Sequence, residues 1–251
     1  MHNNLVSIIT PSYKSKDFIV QTIESVLIQT YHNWEMIIVD DVSPDDSNKV
    51  IEEYIKKDSR IKLIKLEENS GPAVARNRAI EEAKGRYIAF LDADDLWMPK
   101  KLEKQIAFMQ DKQCILSYTA YETMSESGEK ESLVVRPHQK LSYTDLLKSN
   151  QIGCLTAIYD TEKIGKVYMP LISKRQDYGL WLKILKQIDF AYGIDEPLSV
   201  YRIMSNSVSS NKYKLLKYNY LLFRKYEKFS IFKSFYYLCW NIFIKIIKKR
   251  G

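Results

Sequence analysis

The chain has 251 residues, a formal net charge of +7 and an apolar content of 45%, which suit one folded domain with an appendage rather than a disordered chain. Its three cysteines form no CxxC pair and its three histidines are scattered, which argues against a disulfide framework, a zinc site or a Ser-His-Asp triad. No signal-peptide pattern opens the sequence, so we expect a cytoplasmic protein.

Apolar runs typical of buried strands alternate with segments of helical apolar spacing in the first part of the chain. We predict strands over 5–10, 34–39, 61–66 and 87–91, and helices over 16–29, 48–57 and 73–83, the last with Gly85 as its C-cap. This alternation predicts a mainly parallel sheet with helices on both faces.

The fourth predicted strand ends in three carboxylates, Asp92, Asp94 and Asp95, within the sequence RYIAFLDADDLWMP of residues 86–99. Ligands bind at the carboxyl ends of strands in such sheets. Asp92 and Asp94 are two residues apart, so an extended backbone points them the same way, and paired carboxylates suit Mg²⁺ or Mn²⁺. The alternative is an acidic turn that caps the next helix, with Asp95 as N-cap and Pro99 in the first turn.

Two other predicted strands end in residues suited to a nucleotide. Asp40 and Asp41 follow the second strand, and Pro11-Ser12-Tyr13 follows the first. A carboxylate can accept hydrogen bonds from a base or ribose, and an aromatic ring can stack on a base. The alternative for the two aspartates is capping of the turn at Ser43. There is no GxGxxG or GxxxxGK[ST] pattern, which argues against a dinucleotide-binding oxidoreductase or a P-loop NTPase.

The second half has no independent motif. We predict strands over 114–118 and 153–159, a polar turn over 125–131 and a helix over 143–148.

Residues 211–251 form a basic, aromatic tail. They hold eleven Lys or Arg and one acid, a net charge of +10 that leaves −3 for residues 1–210. The apolar run over 234–244 is too short to span a bilayer. A basic helix with aromatics favours an anionic membrane surface. The alternative is a helix packed on the catalytic domain or on a second subunit, as in a homodimer. No nucleic-acid-binding motif accompanies the charge, so we expect no nucleic-acid partner.

An ordered set of motifs over about residues 5–210 resembles glycosyltransferase family 2, which has the GT-A fold. The motifs are TPSY at 10–13, IVDDVS at 38–43, GPAVARN at 71–77, DADD at 92–95, QDYGLWLK at 176–183, and Tyr201-Arg202 followed by Ser207 and Ser209. The resemblance implies an α/β, Rossmann-like, mainly parallel sheet flanked by helices, here with a C-terminal helical extension.

The resemblance also implies that residues 1–110 bind a nucleotide-sugar donor and residues 111–210 bind the acceptor. It implies the following roles for the donor-binding residues. Pro11 and Tyr13 would flank the base, and Asp41 would accept from it with Asp40 nearby. Arg76 would approach the nucleotide or its phosphates; the alternative is a surface arginine.

By the same resemblance, Asp92 would face the ribose and Asp94 would bind the metal of a DXD motif. Asp95 fits a helix cap better than a ligand. Asp177 would be the base that takes the acceptor's proton, or alternatively an N-cap. Trp181 would wall the sugar pocket or belong to the core.

The sequence departs from the family pattern at two positions. Gln176 stands where the family often has Glu, and Met204 stands where many relatives have a metal-binding histidine. A thioether is a poor ligand for Mg²⁺ or Mn²⁺, so Arg202 or Lys212 would compensate the charge of the diphosphate.

The predicted function is therefore an inverting hexosyltransferase. It would use a nucleoside-diphosphate sugar, UDP-glucose or UDP-galactose, and a lipid-linked saccharide acceptor in O-antigen or capsule synthesis, at the inner face of the cell membrane. The alternatives are a sugar-nucleotide nucleotidyltransferase and a non-catalytic membrane-docking protein on this fold.

Overall fold

The computed structural model describes residues 4–204 and 212–247. Within them, ten strands form one mixed sheet. The strands are β1 (Val6–Ser12), β2 (Trp34–Asp40), β3 (Ile61–Lys65), β4 (Tyr87–Phe90), β5 (Leu96–Trp97), β6 (Leu116–Ser125), β7 (Lys130–Val135), β8 (Lys140–Leu141), β9 (Ile158–Asp160) and β10 (Ala191–Ile203).

Helices cover both faces of the sheet. They are α1 (Ile19–Leu27), α2 (Ser47–Ile55), α3 (Pro72–Glu82), α4 (Lys101–Lys112), α5 (Tyr143–Lys148), α6 (Thr161–Ile164), α7 (Gln176–Leu185), α8 (Lys212–Leu221) and α9 (Ile231–Ile247). A 3₁₀-helix spans Cys154–Thr156, and a π-helical turn spans Leu222–Tyr226.

The strand order is β3-β2-β1-β4-β9-β6-β10-β5. Strands β3, β2, β1 and β4 are parallel, whereas β9 runs antiparallel to both of its neighbours, β4 and β6. The four parallel strands therefore end at one edge of the sheet. This arrangement confirms the predicted α/β GT-A fold with C-terminal helices.

The apolar runs of the central strands are continuous because both of their faces are buried. Ile9, Ile37 and Phe90 belong to one core cluster, together with residues of α3 and α7. Ile8 and Ile38 belong to the opposite cluster, together with residues of α1 and α4. The sheet therefore separates two hydrophobic cores, and helices on each side cover them.

Two local predictions are wrong. Helix α3 ends at Glu82 with Ala83 as its C-cap, and Gly85 instead packs on β1, where a Cβ would lie 2.6 Å from the Leu5 carbonyl oxygen. The segment 153–159 is not one strand, because it begins with the 3₁₀-helix Cys154–Thr156 before β9. The close approach of the Gly85 and β1 backbones explains the first difference, and tertiary packing of residues 154–156 explains the second.

The described part of the tail folds back on the domain. Phe223 is buried and meets Tyr178 of α7 edge-on, with ring centroids 6.1 Å apart. Asn241 Nδ2 donates to the Leu147 carbonyl at 2.9 Å. The inner face of the tail thus packs on the domain, as its alternative interpretation predicts. Among the described helices, none combines the length and apolarity needed to cross a bilayer.

Candidate active site

A cleft with a volume of about 640 Å³ lies at the carboxyl ends of β1, β2 and β4, with the starts of α3 and α7 as its walls. Residues distant in sequence meet here because parallel strands end at one edge. Seven of the eight predicted site residues line it: Pro11, Tyr13, Asp41, Arg76, Asp92, Asp94 and Asp177. Their individual roles stay predictions.

The loop after β1 presents an aromatic ring to the cleft. Tyr13 is 47% exposed, and Lys14 Nζ lies 5.4 Å from its ring centroid. Lys14 has a φ of 52°, a left-handed conformation that costs roughly 1–2 kcal/mol for a residue with a Cβ. The Ser15 N–H donates to Ser47 Oγ at 3.0 Å and holds the loop on α2. An exposed ring beside a cation suits a nucleotide, because the ring can stack on the base and the cation can pair with a phosphate.

The two adjacent carboxylates at the end of β2 have different environments. Asp41 accepts from the backbone N–H groups of Ser70 at 2.7 Å and Gly71 at 2.8 Å, so it fixes the turn that begins α3. Asp40 is 1% exposed, accepts from the Ser43 N–H at 3.0 Å, and does not line the cleft. Successive side chains of a strand point to opposite faces. Asp40 therefore stabilises the turn at Ser43, and its contacts give no support to a role in donor binding.

An ion pair at the end of β4 connects the sheet edge to α3. Arg76 Nη2 donates to Asp92 Oδ1 at 2.5 Å, and the Arg76 side chain is 9% exposed. Burial acts to lower the pKa of Arg76, but the charge of Asp92 and other nearby groups raises it above its usual range. The buried Nε of Arg76 has no hydrogen-bond partner. Arg76 is thus a buried cation of the cleft and not a surface arginine.

Asp94 lies partly buried beside a second carboxylate, Asp92. Burial, together with the neighbouring Asp92, raises the pKa of Asp94 to about 6. In the ranges 4–204 and 212–247, no group of three His, Cys, Asp or Glu side chains is arranged to hold a metal ion. Two carboxylates completed by phosphate oxygens and water are nevertheless a usual environment for Mg²⁺ or Mn²⁺. The residues fit a divalent ion held chiefly by Asp94, because Asp92 is shared with Arg76.

Asp95 connects the end of β4 to β10. It is buried, and its Oδ1 accepts from the Arg202 N–H at 2.9 Å. Burial and the nearby carboxylates raise the pKa of Asp95 well above its usual range. The expected role as a helix N-cap is wrong, because α4 begins at Lys101 and has Lys100 as its N-cap.

The Arg202 guanidinium is occupied by protein contacts. Its Nε donates to the Asp94 carbonyl at 2.9 Å, its Nη1 to the Glu126 carbonyl at 3.1 Å and its Nη2 to Gln21 Oε1 at 2.6 Å. Arg202 is buried and does not line the cleft, so these contacts contradict the predicted interaction with a diphosphate. The other predicted cation, Lys212, has a side chain outside the described part of the chain.

Asp177 lies in the first turn of α7 and is half-buried in the cleft wall. The helix is anchored by Trp181, which is fully buried and meets Phe90 edge-on with centroids 5.4 Å apart. Trp181 is therefore a core residue and not part of the cleft lining. Because α7 is held by the core, the backbone at Asp177 has a fixed position at the wall of the cleft.

Sequence reasoning did not single out Lys14, Lys174, Arg175 and Leu215, which also line the cleft. Lys174 and Arg175 directly precede the matched motif at 176–183, and this adjacency is the signal that would have identified them. Leu215 belongs to α8, and no local pattern indicates that the tail reaches the cleft. Met204 lines the cleft as well.

Comparison with known proteins identifies the family of the chain. The family model described as glycosyl transferase family 2 matches residues 7–160. The chain is 47% identical over 230 residues to a Bacillus subtilis (strain 168) protein named as a teichuronic acid biosynthesis glycosyltransferase, TuaG, covering 92% of this chain and 91% of TuaG. It is 40% identical over 252 residues to Escherichia coli WfgD, named as a UDP-Glc:alpha-D-GlcNAc-diphosphoundecaprenol beta-1,3-glucosyltransferase, covering 100% and 97%.

A solved structure shares the fold. The Pyrobaculum calidifontis mannosyltransferase PcManGT, solved with GDP-Man and Mn²⁺, superposes with a TM-score of 0.68 at 17% identity, covering 93% of this chain and 69% of that chain. TuaG and WfgD are both named as glycosyltransferases, and the chain matches each of them over nearly its full length. These matches argue against the nucleotidyltransferase and non-catalytic alternatives. A family match over most of the sheet and a cleft built from the family's motifs together lead to one conclusion: the chain is a glycosyltransferase that belongs to family 2.

Proposed function

We propose that the protein transfers a hexose from UDP-glucose or UDP-galactose to a hydroxyl of a lipid-linked saccharide, with inversion at the anomeric carbon. The observation that carries this proposal is that Asp92, Asp94 and Asp177 line one cleft large enough for a donor and an acceptor hydroxyl. The name of WfgD, with UDP-Glc and diphosphoundecaprenol, supports a UDP-sugar donor and a lipid-linked acceptor, and the name of TuaG, with teichuronic acid biosynthesis, supports a polysaccharide product. We propose that this product is a cell-surface polysaccharide such as O-antigen or capsule.

In this proposal the loop after β1 holds the donor's base. Tyr13 stacks on the base, Pro11 borders it, and Asp41 accepts a hydrogen bond from it while keeping its two backbone contacts. Arg76 keeps Asp92 oriented toward the ribose. A bound Mn²⁺ or Mg²⁺ would be held by Asp94 and Asp92, and it would neutralise charge on the leaving diphosphate.

Transfer then needs one proton acceptor. The acceptor's hydroxyl oxygen forms a bond to the anomeric carbon as the bond from that carbon to the diphosphate oxygen breaks, and the leaving UDP keeps the electron pair. Attack from the opposite face inverts the anomeric centre. Asp177 takes the hydroxyl proton as a general base, which contributes about 10²–10⁴-fold in rate.

We also propose that residues 211–251 hold the enzyme on the inner face of an anionic membrane, where a lipid-linked acceptor would lie. The outward face of α9 carries exposed aromatics, with Phe232 at 87% exposure and Phe235 and Phe243 more than half exposed. Residues 211–251 also carry a net charge of +10. Exposed aromatics on a basic helix suit an interface with anionic lipid.

The test is UDP release and sugar transfer with Mn²⁺ across a panel of nucleotide sugars. We expect wild type to turn over one UDP-hexose, and Asp94→Ala and Asp177→Asn each to lose about 10²–10⁴-fold in transfer rate. Exposed Asp189→Asn is the matched control and keeps wild-type rates. Full transfer by Asp177→Asn would assign the base elsewhere. If no nucleotide sugar is bound or turned over, the proposed function is wrong.

A further inference from the structure

One short segment connects the cleft to the tail, and we call residues 168–175 the rim segment. Asn77 of α3 fixes its start, accepting from the Met169 N–H at 2.8 Å and donating to the Met169 carbonyl at 3.0 Å. Tyr226 in the tail donates to the Leu171 carbonyl at 2.7 Å. The segment is therefore held on both sides by elements of the folded domain and the tail.

The chemical character of the rim segment changes along its length. Its first half carries exposed Tyr168 and Leu171, the latter 64% exposed, and both line a groove of about 370 Å³ together with Val74, Asn77, Arg78 and Glu81. Its second half ends in two basic residues, Lys174 and Arg175, which line the active-site cleft. The carboxylate of Asp177 follows two residues later. Apolar, cationic and catalytic groups therefore succeed one another toward the cleft.

Arg175 has two features that packing does not explain. Its φ is 70°, a left-handed conformation that costs a residue with a Cβ roughly 1–2 kcal/mol. Its Nε is inaccessible to solvent and has no hydrogen-bond partner. Residues held in a left-handed conformation cluster at ligand sites, and Arg175 lines the cleft.

We propose that the rim segment binds the lipid diphosphate of the acceptor. Arg175 and Lys174 contact the diphosphate, and Tyr168 and Leu171 contact the first units of the apolar chain. The inference rests on the proposed function, because Asp177 marks where the acceptor hydroxyl lies.

The order of groups supports this assignment. A lipid-diphosphate-linked sugar presents, in sequence, an apolar chain, two negative phosphates and a sugar hydroxyl. Along the chain, the rim segment presents exposed Tyr168 and Leu171 and then the two cations, and Asp177 follows it at the start of α7. Arg175 and Asp177 are two residues apart, so their backbones are separated by at most roughly 7 Å, and both side chains line the same cleft.

The test is calorimetric titration of the full-length protein with farnesyl diphosphate in the presence of saturating UDP and Mn²⁺, which fill the donor site. We expect wild type to bind this probe, and Arg175→Gln and Leu171→Ser each to weaken binding about tenfold or more. Lys163→Gln, an exposed lysine outside both linings, is the matched control and binds as wild type does. Farnesol and inorganic diphosphate both bind more weakly than farnesyl diphosphate.

Several results would overturn the proposal. If wild type and Arg175→Gln bind farnesyl diphosphate with equal affinity, Arg175 does not bind the diphosphate. If wild type binds inorganic diphosphate as tightly as farnesyl diphosphate, there is no contact with the apolar chain. Loss of binding when UDP is added assigns the diphosphate to the donor site. An equal loss by Arg175→Gln in binding to phosphatidylglycerol vesicles assigns it to the membrane surface. UDP release, measured on the same preparations, reports separately on the proposed transferase function.

Discussion

Lys101 is a buried cation that the proposed chemistry does not use. It is fully buried at the start of α4, and its Nζ donates to Gln105 Oε1 at 2.5 Å and lies 4.8 Å from the Trp97 ring centroid. Burial lowers the pKa of Lys101 to about 7. An unfolded chain leaves a lysine with a pKa of about 10.4. The unfolded state therefore binds more protons than the native state between about pH 7 and pH 10.4.

This difference predicts a pH-dependent stability. The free energy of unfolding rises with pH across that window, and the penalty for burying Lys101 is complete below about pH 7. We expect Lys101→Met to be more stable than wild type by about 1–4 kcal/mol at neutral pH, with the advantage shrinking toward about pH 10. Urea unfolding across this pH range measures it.

The matched control is Lys100→Met, which removes the exposed lysine next to it. We expect its effect on stability to be small and independent of pH over the same range. A Lys101→Met advantage that is absent, or that grows with pH, would show that the buried lysine is already solvated or paired.

The loop between α3 and β4 passes close to the backbone of β1 at Gly85. The Gly85 N–H donates to Ser7 Oγ at 2.8 Å, and a Cβ at Gly85 would lie 2.7 Å from the Ser7 nitrogen. Backbone atoms cannot move aside as a flexible side chain can. The site needs glycine because of this close approach to β1, which a helix-ending pattern in the sequence does not report.

We expect Gly85→Ala to lower the free energy of unfolding by about 3 kcal/mol, at the upper end of overpacking costs. Gly71→Ala is the comparison, because Gly71 has a φ of 86° but nothing within 4 Å of an added Cβ. With a ψ of 165°, Gly71 lies in a region essentially confined to glycine, so the variant should cost about 1–3 kcal/mol from backbone strain alone. Denaturant unfolding measures both variants, and a cost well below about 1 kcal/mol for Gly85→Ala would contradict the close contact with β1.

The whole molecule has an apolar aromatic surface on the side of its tail. The inner face of the tail packs against α5 and α7, where Glu227 pairs with Lys186 at 2.6 Å and also accepts from the Tyr143 hydroxyl. The opposite face of α9 leaves Phe232 and Phe235 exposed. The described tail therefore has two different faces. Its inner face packs on the domain, and the outward face of α9 leaves aromatic side chains exposed.

The membrane proposal predicts binding to anionic vesicles that weakens with salt. We expect Phe232→Ser combined with Phe235→Ser to reduce co-sedimentation with phosphatidylglycerol vesicles by about tenfold or more while leaving the folded domain intact. Leu133→Ser removes an exposed apolar side chain of β7 and is the matched control. Undiminished sedimentation of the double variant would contradict a membrane role for this face.

Sequence by itself determined the alternation of strands and helices and most of the residues of the cleft. Strand β4 and the carboxylates after it are one local pattern, and parallel topology brings its end beside those of β1 and β2. These features are local in the chain or follow from a general rule of open sheets.

Tertiary structure alone decided which neighbour does what. Asp41 lines the cleft and Asp40 does not, although the two are adjacent at the end of β2. Arg202 is occupied by Gln21 and two carbonyls, and Arg175 joins the cleft. Side-chain direction and long-range partners depend on packing between segments far apart in sequence, and no short pattern of residue types encodes them.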